Sequence, residues 1–123
     1  MRTLGQHLSL IHILIEEVDR EYGELFGRSY GGAIEEYRME DAEYAIITTG
    51  SMSGAAKDMV DAKRQEGLKA GLVRMRMIRP FPKERIQKAL ANVKAFGAVS
   101  YTHLGSKVFC QRKGRDEEVP GRK

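Results

Sequence analysis

The stretch Tyr-Ala-Ile-Ile-Thr-Thr-Gly-Ser-Met-Ser-Gly, residues 44–54, decides the fold of this chain. Its first six residues are mostly apolar or β-branched, which predicts a strand that is covered on both faces. Gly50 ends that strand. Ser53 suits the N-cap of a helix over 54–66, because its hydroxyl can accept a hydrogen bond from a free amide of the first turn. A buried strand that leads directly into a helix is typical of α/β proteins.

Two further strands follow downstream. Apolar and basic side chains alternate over 70–78, and the sequence Arg79-Pro80-Phe81-Pro82 ends that strand. A helix is predicted over 83–91 and a third strand over 93–99. This alternation predicts a three-layer α/β domain, in which a mainly parallel sheet carries helices on both faces. Three strands are few for such a sheet, so we expect the domain to be truncated at its C-terminal side.

The residues upstream of this core predict a helix and a short strand. Apolar residues recur at a spacing of three to four over 11–26, with acidic residues on the other face. Residues 33–39 predict an edge strand whose charges discourage stray pairing. The predicted organisation is an N-terminal helix and linker from a preceding domain (1–29), a partial α/β domain (30–100) and a basic, disordered tail (101–123).

Composition and charge favour one soluble globular domain. The chain has 123 residues, of which 41% are hydrophobic and 31% are charged, with a net charge of +4. Six basic and three acidic residues fall in 107–123, so the tail carries +3 of that charge and the remainder is nearly balanced. Charge alone therefore does not predict a partner nucleic acid.

Metal and membrane sites are not predicted. Cys110 is the single cysteine, so thiolates of this chain cannot hold an iron–sulfur cluster or a zinc ion. His7, His12 and His103 lack the spacing of metal ligands. No apolar run approaches the roughly 20 residues that a membrane helix needs. The prediction is a cytoplasmic protein without a membrane partner.

The turn between the first strong strand and its helix is a candidate anion site. Backbone amides at such a turn can hold a phosphate or a carboxylate, which makes Ser51, Ser53 and Gly54 candidate contacts for a coenzyme. The alternative is a tight turn with a serine cap. It is the favoured interpretation, because two glycines without a P-loop lysine are weak support for a phosphate site.

The loop 79–82 is a candidate interface. Arg79 could pair with a carboxylate or phosphate across a subunit boundary, and Phe81 could insert into a neighbouring domain. A rigid connection with a local salt bridge is an equally supported alternative. Arg74 and Arg76 are interpreted as a solvated strand face, as are the carboxylates of 35–43. No residue is predicted to be catalytic.

Three blocks of sequence resemble a known family. Residues 32–45, 50–57 and 76–82 are similar in order and spacing to the second domain of the α subunit of 2-oxoacid:ferredoxin oxidoreductases. Pyruvate:ferredoxin oxidoreductase is the member that they resemble most. That domain is itself similar to the C-terminal domain of transketolase. The resemblance covers about Ile15 to Val99.

The resemblance implies a function for the assembly rather than for this piece. The family decarboxylates a 2-oxoacid on thiamine diphosphate, passes electrons through iron–sulfur clusters to ferredoxin and transfers the acyl group to coenzyme A. The matched domain is a structural and interface module that binds none of these cofactors itself. The expected partners are the other domains and subunits of the oxidoreductase, with ferredoxin reached through the complex.

Both ends of the chain depart from the family. Residues 1–14 do not match it, and 100–123 do not continue as the family does. We hypothesise that this is a gene fragment with non-native ends, which an independent determination of the genomic locus would test. Two other functions are kept as alternatives: a stand-alone binding module for a phosphorylated small molecule at the turn 50–54, and a nucleic-acid binder acting through the tail.

Overall fold

The computed structural model describes residues 4–102 and 105–112. Five strands and three helices make up this part of the chain. In chain order they are α1 (Leu4–Phe26), β1 (Ile34–Tyr37), β2 (Tyr44–Thr49), α2 (Met52–Gln65), β3 (Ala70–Met75), α3 (Lys83–Ala89), β4 (Ala95–Thr102) and β5 (Gly105–Arg112).

The strands form one mixed sheet in the order β1-β3-β2-β4-β5. The central strand β2 pairs in parallel with β3 on one side and with β4 on the other, which confirms the three predicted parallel strands. At the edges, β1 runs antiparallel to β3 and β5 runs antiparallel to β4. The parallel core is thus flanked by an antiparallel strand on each side.

Two helices cover opposite faces of this sheet. Ile46 and Leu72 point to the face that α2 covers through Ala56 and Val60. Their chain neighbours Ile47 and Val73 point to the opposite face, where Ile86 of α3 packs. Because successive strand residues alternate between faces, the continuous apolar runs of β2 and β3 supply both cores. The predicted three-layer arrangement is therefore confirmed.

The N-terminal helix α1 contacts the domain through its polar side. Asp19 accepts hydrogen bonds from the Ser29 hydroxyl at 2.5 Å and from the Tyr30 amide at 2.9 Å. Glu16 forms an ion pair with Arg85 at the start of α3, at 2.5 Å. The helix begins at Leu4, seven residues before the predicted start at residue 11. Polar contacts thus fasten α1 to the loop that follows it and to α3.

The prediction of a disordered tail from residue 101 is wrong for 105–112, which form β5. This strand pairs with β4 in continuous register from Ala95 opposite Arg112 to Thr102 opposite Gly105. The glycine and the charges of this segment suggested a tail, but the run Val108-Phe109-Cys110 favours a strand. Residues 113–123 and His103 lie outside the described residues.

Gly71 lies where no larger residue fits. A Cβ atom there would come within 2.5 Å of the Met39 sulfur and within 2.9 Å of the Arg38 carbonyl oxygen. Gly71→Ala is therefore expected to lower the free energy of unfolding by about 1–3 kcal/mol, because the segment that covers β3 must move away. Chemical denaturation followed by circular dichroism measures this change.

The matched control for that substitution is Gly54→Ala. Gly54 lies inside α2, and a Cβ atom there would have no neighbour within 4 Å. Because alanine has the higher helix propensity, this variant is expected to be more stable by about 0.5–1 kcal/mol. Equal effects of the two substitutions would contradict the tight approach at Gly71.

Candidate functional site at the carboxyl edge of the sheet

The carboxyl ends of β2 and β3 lie at the same edge of the sheet, because the two strands are parallel. The turn that enters α2 leaves from β2, and the loop that enters α3 leaves from β3. Open α/β sheets bind their ligands at this edge. This edge therefore carries both candidate sites from the sequence, the turn 50–54 and the loop 79–82.

The turn after β2 is tightly hydrogen-bonded within itself. Gly50 adopts a φ of 64°, a left-handed conformation that glycine accepts without strain. The amide of Ser53 donates to the Gly50 carbonyl and the amide of Gly54 donates to the Ser51 carbonyl, each at 3.3 Å. Two amides of the predicted anion site are thus already paired with backbone oxygens.

Ser53 is buried rather than capping. The helix begins at Met52, one residue after Ser51, and no side chain caps it, so the prediction of Ser53 as N-cap is wrong. The Ser53 side chain is 2% exposed, and its hydroxyl is 3.0 Å from that of Thr48. Burial and this bond hold Ser53 inside the domain. Ser51 and Gly54 face solvent, and their role as anion contacts stays a prediction.

Three cationic side chains converge on one carboxylate beside this turn. Lys57 Nζ donates to Glu35 Oε1 at 2.5 Å, and Arg76 Nη2 and Arg74 Nη1 donate to Oε2 at 2.9 and 3.4 Å. The three cations come from α2, from β3 and from the residue after β3. We call Glu35, Lys57, Arg74 and Arg76 the basic cluster. Its charges sum to +2, from three cations and one anion.

The basic cluster strongly favours the ionised form of Glu35. Burial alone would raise the pKa of this carboxyl group, but the hydrogen bonds and charges of Lys57 and Arg76 outweigh burial and lower the pKa from 4.5 to about 2. The side chain is 23% exposed, so solvent screens these interactions only in part. Glu35 is therefore a fixed anion at neutral pH.

An aromatic ring and an ion pair border the basic cluster. The Tyr30 ring centre lies 5.1 Å from Arg76 Cζ, a distance at which a cation and an aromatic face attract each other. The nearby carboxylate of Asp61 binds Arg38 Nε at 2.6 Å and accepts a hydrogen bond from the Tyr37 hydroxyl at 2.9 Å. Asp61 is thus engaged elsewhere and does not balance the charge of the cluster.

The loop after β3 presents two apolar side chains to solvent. Ile78 is 59% exposed and Phe81 is 55% exposed, whereas Pro80 and Pro82 are buried against the domain. Arg79 is exposed and makes no ion pair with the residues that the structure describes. The prolines thus anchor a loop whose Arg79 and Phe81 are directed outward. The predicted interface role of both residues agrees with this placement and stays a prediction.

The basic cluster was not predicted from the sequence, where Glu35, Arg74 and Arg76 were interpreted as parts of solvated faces and Lys57 was given no role. The cluster depends on the register that puts Glu35 directly opposite Arg74 in the antiparallel pair of β1 and β3. That pairing joins residues 39 positions apart, and no local pattern specifies it. The alternation of Arg74 and Arg76 with apolar residues was the available signal, because it puts both cations on one face.

Neither a metal site nor a membrane-spanning helix is found in the part of the chain that the structure describes. Within residues 4–102 and 105–112, no group of three or more His, Cys, Asp or Glu side chains could hold a metal ion. None of the helices in these ranges has the length and apolarity needed to cross a bilayer.

Comparison with protein families gives one match. Residues 42–110 match the family described as pyruvate:ferredoxin oxidoreductase core domain II. The match begins just before β2 and includes α2, β3, α3, β4 and most of β5. It thus covers the parallel core and the carboxyl edge, and it extends past the predicted domain end at residue 100.

Individual relatives carry names of related enzymes. The chain is 50% identical over 70% of its length to the α subunit of NADH-dependent phenylglyoxylate dehydrogenase from Aromatoleum evansii. It is 44% identical over 66% of its length to pyruvate synthase subunit PorA from Methanosarcina barkeri, and 40% identical over 70% to ketoisovalerate oxidoreductase subunit VorA from Pyrococcus horikoshii. The matched parts are only 20–22% of these relatives, so the chain spans about a fifth of their length.

Proposed function

This chain belongs to the family of pyruvate:ferredoxin oxidoreductase core domain II, and from that premise we propose that it is a structural and interface domain of a 2-oxoacid:ferredoxin oxidoreductase α subunit. The proposed reaction of the whole enzyme is the oxidative decarboxylation of a 2-oxoacid to an acyl-coenzyme A, with the electrons passed to ferredoxin. We propose pyruvate as the substrate and the cytoplasm as the location. The relatives are named for three different acids, so the choice of substrate is a separate point to test.

The cofactors of that reaction are assigned to other parts of the complex. An iron–sulfur cluster requires several cysteine thiolates, and this chain has only Cys110. Thiamine diphosphate is held in part through a divalent metal ion, for which the described residues offer no group of ligands. On these grounds we assign no catalytic step to the residues that the structure describes.

The exposed loop after β3 carries the proposal of an interface role. Ile78 and Phe81 are both largely exposed, so neither gains the free energy that burial of an apolar side chain provides, and both lie in the segment that contains the buried Pro80 and Pro82. Arg79 stands between them and can pair with a carboxylate of a neighbour. A docked domain or subunit would bury the apolar pair and give this cation a partner.

The first test of the proposal concerns the isolated chain. The purified 123-residue protein, supplied with thiamine diphosphate, magnesium, coenzyme A and pyruvate, is expected to show no reduction of a viologen dye. The physical reason is that a single cysteine cannot hold an iron–sulfur cluster, and that the described residues offer no group of metal ligands. Pyruvate-dependent dye reduction by this chain alone would contradict the assignment of catalysis to other domains.

A transplant tests the positive part of the proposal. Residues 42–110 would replace the matching segment in the α subunit of a relative named pyruvate synthase, and the complete complex would be purified. We expect assembly and 2-oxoacid-dependent dye reduction to survive the exchange. Phe81→Asp in this transplant should prevent assembly, whereas Glu84→Asp, at an exposed position of α3, is the control. An assembled and fully active Phe81→Asp complex would refute the interface role.

A further inference from the structure

The basic cluster has more positive charge and more hydrogen-bond donors than its own carboxylate can satisfy. An arginine side chain has about five N–H donors and a lysine ammonium has about three. In the contacts given above, Lys57, Arg74 and Arg76 each give one of these donors to Glu35. Most of the donors therefore make no hydrogen bond to the described residues, although Lys57 Nζ also lies 5.2 Å from the centre of the Tyr37 ring, and the net charge of the cluster is +2.

The cluster is partly shielded from water, so its positive charge and its free hydrogen-bond donors favour an anion more than they would at the surface. The side chains of Lys57, Arg74 and Arg76 are only 26–36% exposed. Partial burial weakens solvent screening, so an anion that binds here gains more than it would at a fully exposed site. The Tyr30 ring on Arg76 and the sheet register at Arg74 also hold these groups in place, which reduces the entropy lost on binding.

The position of the cluster in the fold favours a ligand. Arg74 is the direct neighbour of Thr48 across the parallel pair, and Thr48 is bonded to Ser53 in the first turn of α2. The cluster therefore lies at the carboxyl edge of the parallel strands, close to the positive end of the dipole of a 14-residue helix. Strand ends, helix dipole and side-chain charges all favour an anion at the same place.

We propose that the basic cluster binds a phosphate group, either as free phosphate or as the monoester of a small molecule. A phosphate dianion matches the net charge of +2, and its oxygens can accept bonds from both guanidinium groups and from Lys57. A single carboxylate would neutralise only half of this charge. The site differs from the turn that the sequence indicated, and it does not depend on the oxidoreductase assignment.

The test is calorimetric titration of the complete 123-residue chain with inorganic phosphate, at an ionic strength held constant with chloride. The unmodified protein is expected to bind phosphate with a 1:1 stoichiometry. Arg74→Gln combined with Arg76→Gln should weaken binding about a hundredfold or more, because two charge-assisted hydrogen bonds to the phosphate are lost together. The matched control removes two positive charges from α3 on the opposite face, Lys83→Gln with Lys88→Gln, and should bind like the unmodified protein.

A second variant changes the charge of the cluster in the opposite direction, and circular dichroism in the far ultraviolet establishes before the titration that it is folded. Glu35→Gln removes the resident carboxylate, raises the net charge of the cluster to +3 and should tighten phosphate binding about tenfold. Titrations with ribose 5-phosphate and adenosine 5′-monophosphate distinguish a phosphate monoester from free phosphate as the ligand. If either compound binds more tightly than inorganic phosphate, the ligand is a monoester; if neither does, it is the free ion. Any one of three results would overturn the proposal. They are no phosphate binding by the unmodified chain, an equal loss of affinity in the α3 control, and an unchanged affinity in Glu35→Gln.

Discussion

Leu72→Ala is expected to lower the free energy of unfolding by about 2–5 kcal/mol, a large share of the roughly 5–15 kcal/mol that stabilises a typical domain. Leu72 is 0% exposed and lies in β3, the strand between β1 and β2. Its side chain packs with Val60 of α2 and with Ala70. Truncation therefore removes buried apolar area and leaves a cavity between the sheet and α2.

Urea denaturation followed by circular dichroism in the far ultraviolet measures this effect. The matched control is Leu68→Ala, which deletes the same atoms from a side chain that is 40% exposed in the connection before β3. We expect the control to change stability by no more than about 0.5 kcal/mol. A cost below about 1 kcal/mol for Leu72→Ala would mean that β3 does not lie buried between β1 and β2.

Glu35→Gln is expected to lower the free energy of unfolding by about 2–3 kcal/mol at neutral pH in a buffer without phosphate. The pKa of Glu35 falls from 4.5 to about 2 in the folded protein, and a tenfold change in a protonation equilibrium corresponds to about 1.4 kcal/mol before solvent screening is allowed for. Glutamine keeps the shape of the side chain but removes the charge. Lys57, Arg74 and Arg76 would then repel one another without an anion between them.

The effect has a defined pH dependence. Because the folded pKa lies below the unfolded value of 4.5, Glu35 contributes its full stabilisation above about pH 5 and loses it as the pH falls through 4.5 towards 2. The unmodified protein and the Glu35→Gln variant should therefore differ most at neutral pH and converge near pH 2. Urea midpoints measured at several pH values from neutral down to about 2 follow this convergence.

The neighbouring residue supplies the control for Glu35. Glu36 lies in the same strand but on the opposite face, is exposed, and forms no ion pair with the described residues. Glu36→Gln makes the same chemical change and should leave both the stability and its pH dependence nearly unchanged. If both variants behaved alike, the stabilisation would come from the net charge of the chain and not from the basic cluster.

The candidate sites show where local sequence signals were sufficient. The prolines at 80 and 82 correctly indicated a fixed loop at the end of a strand, and their burial leaves Phe81 directed outward. Ser53 shows the opposite case. Its type and position suit a helix cap, but Thr48 lies within hydrogen-bond distance and the helix starts at Met52, two residues before the predicted start at residue 54. Tertiary burial outweighed the local preference of serine for the cap position.

The sequence by itself determined the parallel core and the family. Runs such as 44–49 are apolar at consecutive positions, and a strand of this kind is fully buried only between two layers. The central strands and the helices that cover them therefore follow from the composition and from the periodicity of the apolar residues. The edge strand over 33–39 was predicted, but tertiary structure alone decided its antiparallel pairing with β3, the strand β5 and the basic cluster. Glu35 meets its three cations only when β1 lies beside β3, and a pairing between distant segments leaves no periodic trace in either one.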